Sequence, residues 1–369
     1  MKFIHCADLH LDARMASLLG PEKAKMRRAE ILANFGRIIA CARESGCAGI
    51  FLAGDLFDTK RISAAARNVV EDAIRSHPEL DFYYVTGNHE GSAFVESLSD
   101  CPANLHLFTP EWTTYTLFEK DGRRVTLSSR EIDADHGAGA PEGLSLRAED
   151  LNIVMLHGTV AEHANAGDDS VIALHSLRGK NIDYLALGHV HEYRRGRIDS
   201  RGEYCYSGCL EARGFDEPGT HGYILLTIDE NDLSYEARFV RFPGRTVHVV
   251  RVDVSECLTT PDILREVSAA LDEEDCGADD CVKVVLTGRM DVNAEKDLRV
   301  VENDWKERFY LFRLEDETKY RVDREAYAQD ASLKGEYVRM LMEDESLTED
   351  RRAELIRTGL LALTGEEIE

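Results

Sequence analysis

Seven residues of this sequence have the types and spacing that bind metal ions, and each closes or follows a short apolar run. His189 and His191 stand one apart in LGHVHEY, which on an extended backbone aims both imidazoles the same way. Upstream, KFIHCA leads into Asp8 and His10, spaced D-x-H. GIFLAG leads into Asp55 of GDLFD, FYYVTG into Asn88 and His89 of GNHE, and NIVML into His157 of HGT. A lone His-x-His pair proves little. Five segments delivering Asp, His and Asn to strand ends is a different matter, because in open α/β sheets the loops beyond the carboxyl ends converge on one crevice.

The residue types suit a pair of divalent ions. Two such ions held close together repel, so the site needs an anionic bridge, and a carboxylate such as Asp55 can bind both. Neutral imidazoles and an Asn carbonyl complete the shells, and mixed N/O ligation suits manganese, iron or zinc. A paired site can clamp the attacking and leaving oxygens of an in-line phosphoryl displacement, and a bridging water loses its proton easily to become a hydroxide nucleophile. Taken singly, Asp8, Asp55 and Asn88 are also ordinary turn or cap residues; the ordered set favours ligation. Asp58, the last residue of GDLFD, reads as a loop brace and stays outside the site. His5, His77, His106, His136, His163, His175, His221 and His248 read as structural. Asp12 and Arg14 read either as substrate contacts or as a solvated loop.

The elements that must position these residues alternate between strand and helix patterns, which predicts an α/β fold with helices packed over sheets. Residues 21–45 form an amphipathic segment with Pro21 near its start, Gly46 as a stop and Ile31, Phe35, Ile38 and Ala42 on one face. Residues 63–76 predict a second helix with Val69, Val70, Ala73 and Ile74 inward. LNIVMLHG, IDYLALGHV, EYCYSG and GYILLTID continue the strands. At RFPGRT, residues 241–246, the pattern restarts as a smaller α/β unit, and residues 332–343 and 349–363 follow as two amphipathic helices. The predicted domains are therefore 1–243, 244–328 and 329–369.

The 369 residues carry a net charge of −25, which repels nucleic acid on average. Any DNA reading must find local cations, a metal or a partner. Arg194, Arg195, Arg197 and Arg201, directly after GHVH, form either a solvated hairpin or a phosphate track, and Arg241 and Arg245 add charge at the domain junction. Acidic EDESLTED and GEEIE near the end read as solvated helix faces. No apolar span is long enough to cross a bilayer, and MKFIHCADLHLD is no signal peptide. Nine cysteines without a CxxC pair predict reduced thiols in a cytoplasmic protein.

D-x-H, GDxxD, GNH[DE], a lone His and GHxH, in this order over roughly residues 1–230, resemble the calcineurin-like metallophosphoesterase superfamily. The resemblance implies a four-layer α/β/β/α sandwich with a small α/β capping domain and C-terminal helices. It assigns one metal to Asp8, His10, Asp55 and His191 and the other to Asp55, Asn88, His157 and His189. His89 is left to support the transition state or protonate the leaving oxygen, with Glu90 behind it as an orienting carboxylate. DLHLD, GDLFDT, GHVH and YSGCLEARGFDEPGTHGYILLTI further resemble the SbcD-type DNA double-strand-break repair exonucleases, in their shorter bacterial branch. That implies a manganese-dependent DNA nuclease subunit, with iron, zinc or magnesium as alternative metals. Its partner would be a coiled-coil SMC-like ATPase of the SbcC type, bound by the C-terminal helices, and a homodimer is compatible. The alternatives are a phosphatase or small-molecule phosphodiesterase with the same bimetal site, or a non-catalytic scaffold recruiting the ATPase. Protein phosphatases usually carry arginine after GDxxD and before GNHE; here Thr59 and Thr86 occupy those places.

Overall fold

A computed structural model describes residues 1–13, 15, 19–131, 143–161 and 170–364. Arg14, His136, His163 and the terminal GEEIE lie outside the described residues. The chain divides into two units, Met1–Gly244 and Arg245–Glu369.

The first unit opens with β1 (Lys2–Cys6), α1 (Pro21–Glu44), β2 (Gly49–Ala53), α2 (Ala64–Arg75), β3 (Asp81–Val85), α3 (Ala93–Ser97) and β4 (Leu105–Leu107). A hairpin of β5 (Thr113–Lys120) and β6 (Arg123–Ser129) follows, then β7 (Leu151–His157) and the two-residue strands β8 (Thr159–Val160) and β9 (Val171–Ile172). Last come α4 (Leu174–Leu177), β10 (Tyr184–Gly188), β11 (Arg194–Arg197), β12 (Glu203–Tyr206), β13 (Gly222–Ile228) and β14 (Tyr235–Arg241).

Two six-stranded sheets result, ordered β14-β13-β1-β2-β3-β4 and β11-β12-β10-β7-β6-β5. In the first, β1 to β4 run parallel; in the second, β6, β7, β10 and β12 do. Strands buried on both faces read as unbroken apolar runs, which is why these were conspicuous in the sequence. Their alternate residues do different work. Phe3, Phe51 and Tyr83 meet Ile153, Met155 and Tyr184 in the core between the sheets. The opposite face of the first sheet takes α1, where Phe35 packs on Phe82. Ala66, Val70 and Ile74 form the buried face of α2, whereas Val69, expected inward, is 40% exposed. Beyond the second sheet, Leu174 and Leu177 of the one-turn α4 cover Leu185, Leu187 and Tyr206. The α/β sandwich is thus thick on one side and thin on the other.

The inter-sheet core contains a wholly buried imidazole, that of His5. His5 donates from Nε2 to the Leu187 carbonyl (3.2 Å) and accepts at Nδ1 from the Tyr184 hydroxyl (2.9 Å). Burial pushes its pKa from 6.5 down to about 4, against the raising effect of the Leu187 bond. The native ring therefore resists a proton that the unfolded ring accepts below pH 6.5. Stability from this residue is complete above that pH and is lost progressively down to about pH 4, by roughly 3 kcal/mol. Denaturant unfolding at pH 7 and pH 4 is expected to show a drop about that much smaller in His5→Gln than in the parent. Equal drops would remove His5 as the source.

The second unit comprises β15 (Val247–Asp253), α5 (Thr260–Glu273), β16 (Cys281–Thr287), β17 (Arg289–Asp291), α6 (Leu298–Trp305), β18 (Leu311–Asp316) and β19 (Lys319–Arg321), followed by α7 (Arg324–Ala328), α8 (Leu333–Met342) and α9 (Glu349–Thr364). β15, β16 and β18 make a parallel sheet over which α5 and α6 bury Ile263, Val267, Val301 and Trp305. The start of α5 is set by a capping box between Thr259 and Asp262, with Pro261 in the first turn. Val338, Ile356 and Leu360 of the last helices share a small core with Val292 and Tyr327. Among the described residues no helix is long and apolar enough to cross a membrane.

Candidate metal centre

The parallel strands of both sheets end at one edge, and the seven singled-out residues meet there. Asp8 and His10 follow β1, Asp55 follows β2, Asn88 follows β3, His157 ends β7, and His189 and His191 follow β10. The loops after β1 and β2 continue the pairing of their strands: the Asp8 amide donates to the Gly54 carbonyl, His10 to Asp55 and Leu11 to Leu56. This bracing holds unusual backbone. Asp8, His10, Asp12, Asp55 and His189 all have positive φ, between 45° and 94°, a conformation that costs non-glycine residues on the order of 1–3 kcal/mol each. Two motif glycines answer to crowding. A Cβ on Gly54 would lie 2.2 Å from His157 Nδ1, and one on Gly87 would lie 2.0 Å from Asp55 Oδ1.

The side chains fall into two clusters with Asp55 between them. In one, His10 Nε2 and His191 Nε2 approach to 3.1 Å, with Asp8 Oδ1 3.9 Å from the latter. In the other, His157 Nε2 lies 3.0 Å from Asn88 Oδ1 and 3.3 Å from His189 Nδ1, and His189 Nδ1 lies 3.1 Å from the same Asn88 oxygen. Asp55 Oδ2 is 3.4 Å from His157 Nε2 and 3.7 Å from His10 Nε2.

This donor set fits a cation. His191 Nδ1 donates to Glu217 Oε1 (2.6 Å) and His10 Nδ1 faces Asp58 Oδ1 (3.3 Å), which turns both Nε2 atoms toward each other. His157 Nδ1 donates to the Ala53 carbonyl (2.9 Å), so its Nε2 also faces acceptors. A bound cation reconciles these acceptors, and in its absence a proton on His157 or His191 does so. A group of Asp8, His10 and His191 and another of Asp55, His157 and His189 each bring their ligand atoms within 4.8 Å of one another. Buried Asp8 and Asp55 supply the charge that draws such an ion in.

The electrostatics agree. Burial raises the Asp55 carboxyl, but His157, His10 and His89 outweigh it and hold Asp55 well below the usual carboxylate range. Burial lowers His157, yet the Asp55 charge and its hydrogen bond win and lift the ring to about 9. Burial opposes protonation of His191 too, and Glu217 and Asp8 overcome it; in His10 burial prevails and the pKa falls. A divalent ion must therefore displace a proton from His157 below about pH 9. Affinity for the ion at that half of the site is expected to fall about tenfold per pH unit between pH 8.5 and 6.5. Calorimetric titration with Mn2+ in buffers of different ionisation enthalpy checks this, as close to one proton released per ion. No proton release would contradict it.

His89 sits at the mouth with its side chain 43% exposed. Its Nδ1 donates to the Asp58 carbonyl (3.1 Å) and its Nε2 lies 3.8 Å from Asp55 Oδ2. Glu90 does not orient that ring. Its Oε1 accepts from Leu56 N, Gly87 N and Tyr84 Oη, which ties the β2 and β3 loops together, while its buried Oε2 has no partner. Burial and the nearby Asp55 charge push Glu90 up to about 7. Asp12 is likewise structural, accepting from the Ser63 amide at the start of α2.

Two groups escaped sequence reasoning. Glu217 fixes His191, and Arg213 bridges Glu217 to Asp58. Both lie within the stretch EARGFDE that follows the final histidine motif, the one signal available. Three of the four arginines after GHVH, by contrast, are paired with nearby acids, and the fourth binds backbone carbonyls. Arg195 pairs with Glu203 and Arg201 with Asp183 through two bonds each, Arg194 pairs with Glu192, and Arg197 binds the Ser200 carbonyl. Within the second unit Arg245 donates to the Asp279 carbonyl and stacks on Tyr310.

Comparisons with known proteins bear on this site. Residues 1–193, just over half of the chain, match the family of calcineurin-like phosphoesterases. The chain is 28% identical over 300 residues to YhaO of Bacillus subtilis, described as an uncharacterized metallophosphoesterase; the match covers 78% of this chain and 72% of YhaO. It is 26% identical over 279 residues to the DNA double-strand break repair protein Mre11 of Methanopyrus kandleri, covering 68% of this chain and 59% of that one. Among solved structures, a dimetal phosphatase from Danio rerio overlays on 65% of this chain and 96% of its own, with 14% identity and a TM-score of 0.41.

Proposed function

Because the chain belongs to the calcineurin-like phosphoesterase family, we propose that it is a dinuclear-metal phosphodiesterase acting on DNA, a nuclease subunit that works with manganese beside a coiled-coil ATPase in the cytoplasm. The observation that carries the reading is Asp55 standing between the Asp8/His10/His191 and Asn88/His157/His189 clusters, within 3.7 Å of a histidine from each. When bound there, two divalent ions supply Lewis acidity to a phosphoryl oxygen and lower the pKa of a water. The chain's own residues do the rest. Asp55 offers a carboxylate to both halves, and Asn88 orients toward His157 and His189 without adding charge. His89, exposed beside them and with Nδ1 committed to Asp58, gives a proton from Nε2 to a departing oxygen when its ring is doubly protonated.

DNA as substrate is supported by the likeness to Mre11 and by Thr59 and Thr86 in the places where protein phosphatases carry arginine. One observation favours a second reading. The net charge of −25 and the internal pairing of Arg194, Arg195 and Arg201 leave little cation for a polyanion, which suits a small phosphoester. Incubation with Mn2+ and end-labelled duplex DNA, alongside the bis-ester and the mono-ester of p-nitrophenol, decides between them. Cleavage of the duplex and the bis-ester is expected. Turnover of the mono-ester alone would overturn the nuclease reading.

A further inference from the structure

We propose that Arg213, with Asp58 and Glu217, forms a clamp that fixes His10 and His191 and so sets the ion affinity of the Asp8/His10/His191 half alone. The inference rests on the dinuclear reading of the site. Arg213 Nη1 donates to Asp58 Oδ1 (2.9 Å), its Nη2 and Nε to Glu217 Oε1 (2.8 and 3.2 Å), and its backbone amide to Glu217 Oε2 (2.7 Å). Each carboxylate in turn faces one histidine Nδ1: Glu217 faces His191 at 2.6 Å and Asp58 faces His10 at 3.3 Å. A planar, permanently charged fork is the side chain that can hold two carboxylates at a set separation. Glu217 and Asp58 are 6% and 23% exposed, so the pairs are poorly screened by water.

The clamp has its own anchor. Two residues before Arg213, buried Glu211 accepts from Arg27 and Asn34 of α1, and Arg27 also donates to the Ala212 carbonyl. The loop is thus held to a long helix on one side and to both histidines on the other. Consequences follow for charge. With Arg213 in place, two carboxylates carry one net negative charge behind two imidazoles. Without it, the guanidinium link between Asp58 and Glu217 is gone. Apart from His191, Glu217 then keeps only the backbone amide of residue 213 and the weaker Cys209 thiol contact on Oε2, and both carboxylates are less firmly placed behind the two imidazoles. The other half takes its orientation elsewhere, from the Ala53 carbonyl on His157 Nδ1. That asymmetry makes the role of Arg213 separable from mere folding.

Calorimetric titration of the full-length chain with Mn2+ alone tests it, comparing the parent, Arg213→Met and Glu217→Gln, with Asn88→Ala marking the opposite half. Disturbing groups that orient metal ligands typically weakens binding 10–100-fold. Arg213→Met is expected to bind one ion with parental affinity and the other about 10–100-fold more weakly, with free guanidinium at a non-denaturing concentration restoring part of the loss. Glu217→Gln is expected to weaken the same ion, and Asn88→Ala the other one, and Glu217→Gln decides the matter if Arg213→Met does not fold. Two ions at parental affinity in both clamp variants would overturn the proposal, as would equal weakening of both ions without guanidinium rescue. A parent chain that takes up fewer than two ions would overturn the dinuclear reading itself, and the clamp with it.

Discussion

Replacing Asp55 with alanine is expected to lower hydrolysis of a phosphodiester by at least about a thousandfold, roughly 4 kcal/mol of barrier. Asp55 Oδ2 lies within 3.7 Å of His10 and His157, one from each cluster, and Oδ1 accepts the His89 amide at 3.1 Å. Asp8 reaches toward one cluster and Asn88 toward the other, so neither can replace it. Removing the carboxylate leaves two cations facing each other with less negative charge between them, in a site whose one other carboxylate, Asp8, belongs to a single cluster. Asp55→Asn keeps the shape and isolates the charge; it is expected to lose nearly as much as alanine. The rate with the bis-ester at saturating Mn2+ is the measurement, with a metal-dependent thermal shift as companion. A rate within tenfold of the parent would show that Asp55 does not join the halves.

Replacing His89 with alanine is expected to separate rate from metal content. General acids of this kind contribute about 10²–10⁴-fold, and the His89 ring reaches the mouth of the site with its Nε2 3.8 Å from Asp55 Oδ2. The variant is expected to hold two ions while cleaving DNA at least a hundredfold more slowly. The leaving group supplies an internal control. Nitrophenolate departs without a proton, whereas a sugar alkoxide needs one, so the loss is expected to be much smaller on the bis-ester than on DNA. Equal losses on both, or loss of metal, would assign His89 to holding the site together.

The side chains that meet at this edge stood out in the sequence because each sits within a few residues of a strand end, and doubly buried strands are written as apolar runs such as GIFLAG and DFYYV. Backbone direction then carried the ligands to one edge. Glu217 and Arg213 were not legible for the opposite reason. They lie in a loop between β12 and β13, they are ordinary residue types, and their partners are as far as 155 residues away. Asp58 was read as a loop brace, and the structure adds that its carboxylate faces His10 while its carbonyl holds His89. The orienting role of Glu90 was only implied by the resemblance, and the turn after β3 points its carboxylate back into the protein toward Tyr84.

Elsewhere the same contrast recurs. The β5–β6 hairpin left no apolar run, since β5 is half exposed at the sheet edge, yet its Asp121-Gly122 turn with both φ positive is a hairpin signature. Val69 shares the helical stripe of Val70 by type but not by angle, so it faces solvent. Charge clusters are the least readable feature of all. Four arginines within eight residues suggest a polyanion site, until the acids that pair with three of them are placed beside them.

Crystals soaked in Mn2+ and measured at the manganese absorption edge test the central claim most directly. Two anomalous peaks about 3.5–4 Å apart are expected, one beside Asp8, His10 and His191, the other beside Asn88, His157 and His189, with Asp55 touching both. A solitary peak, or a pair that leaves Asp55 untouched, would contradict the dinuclear centre.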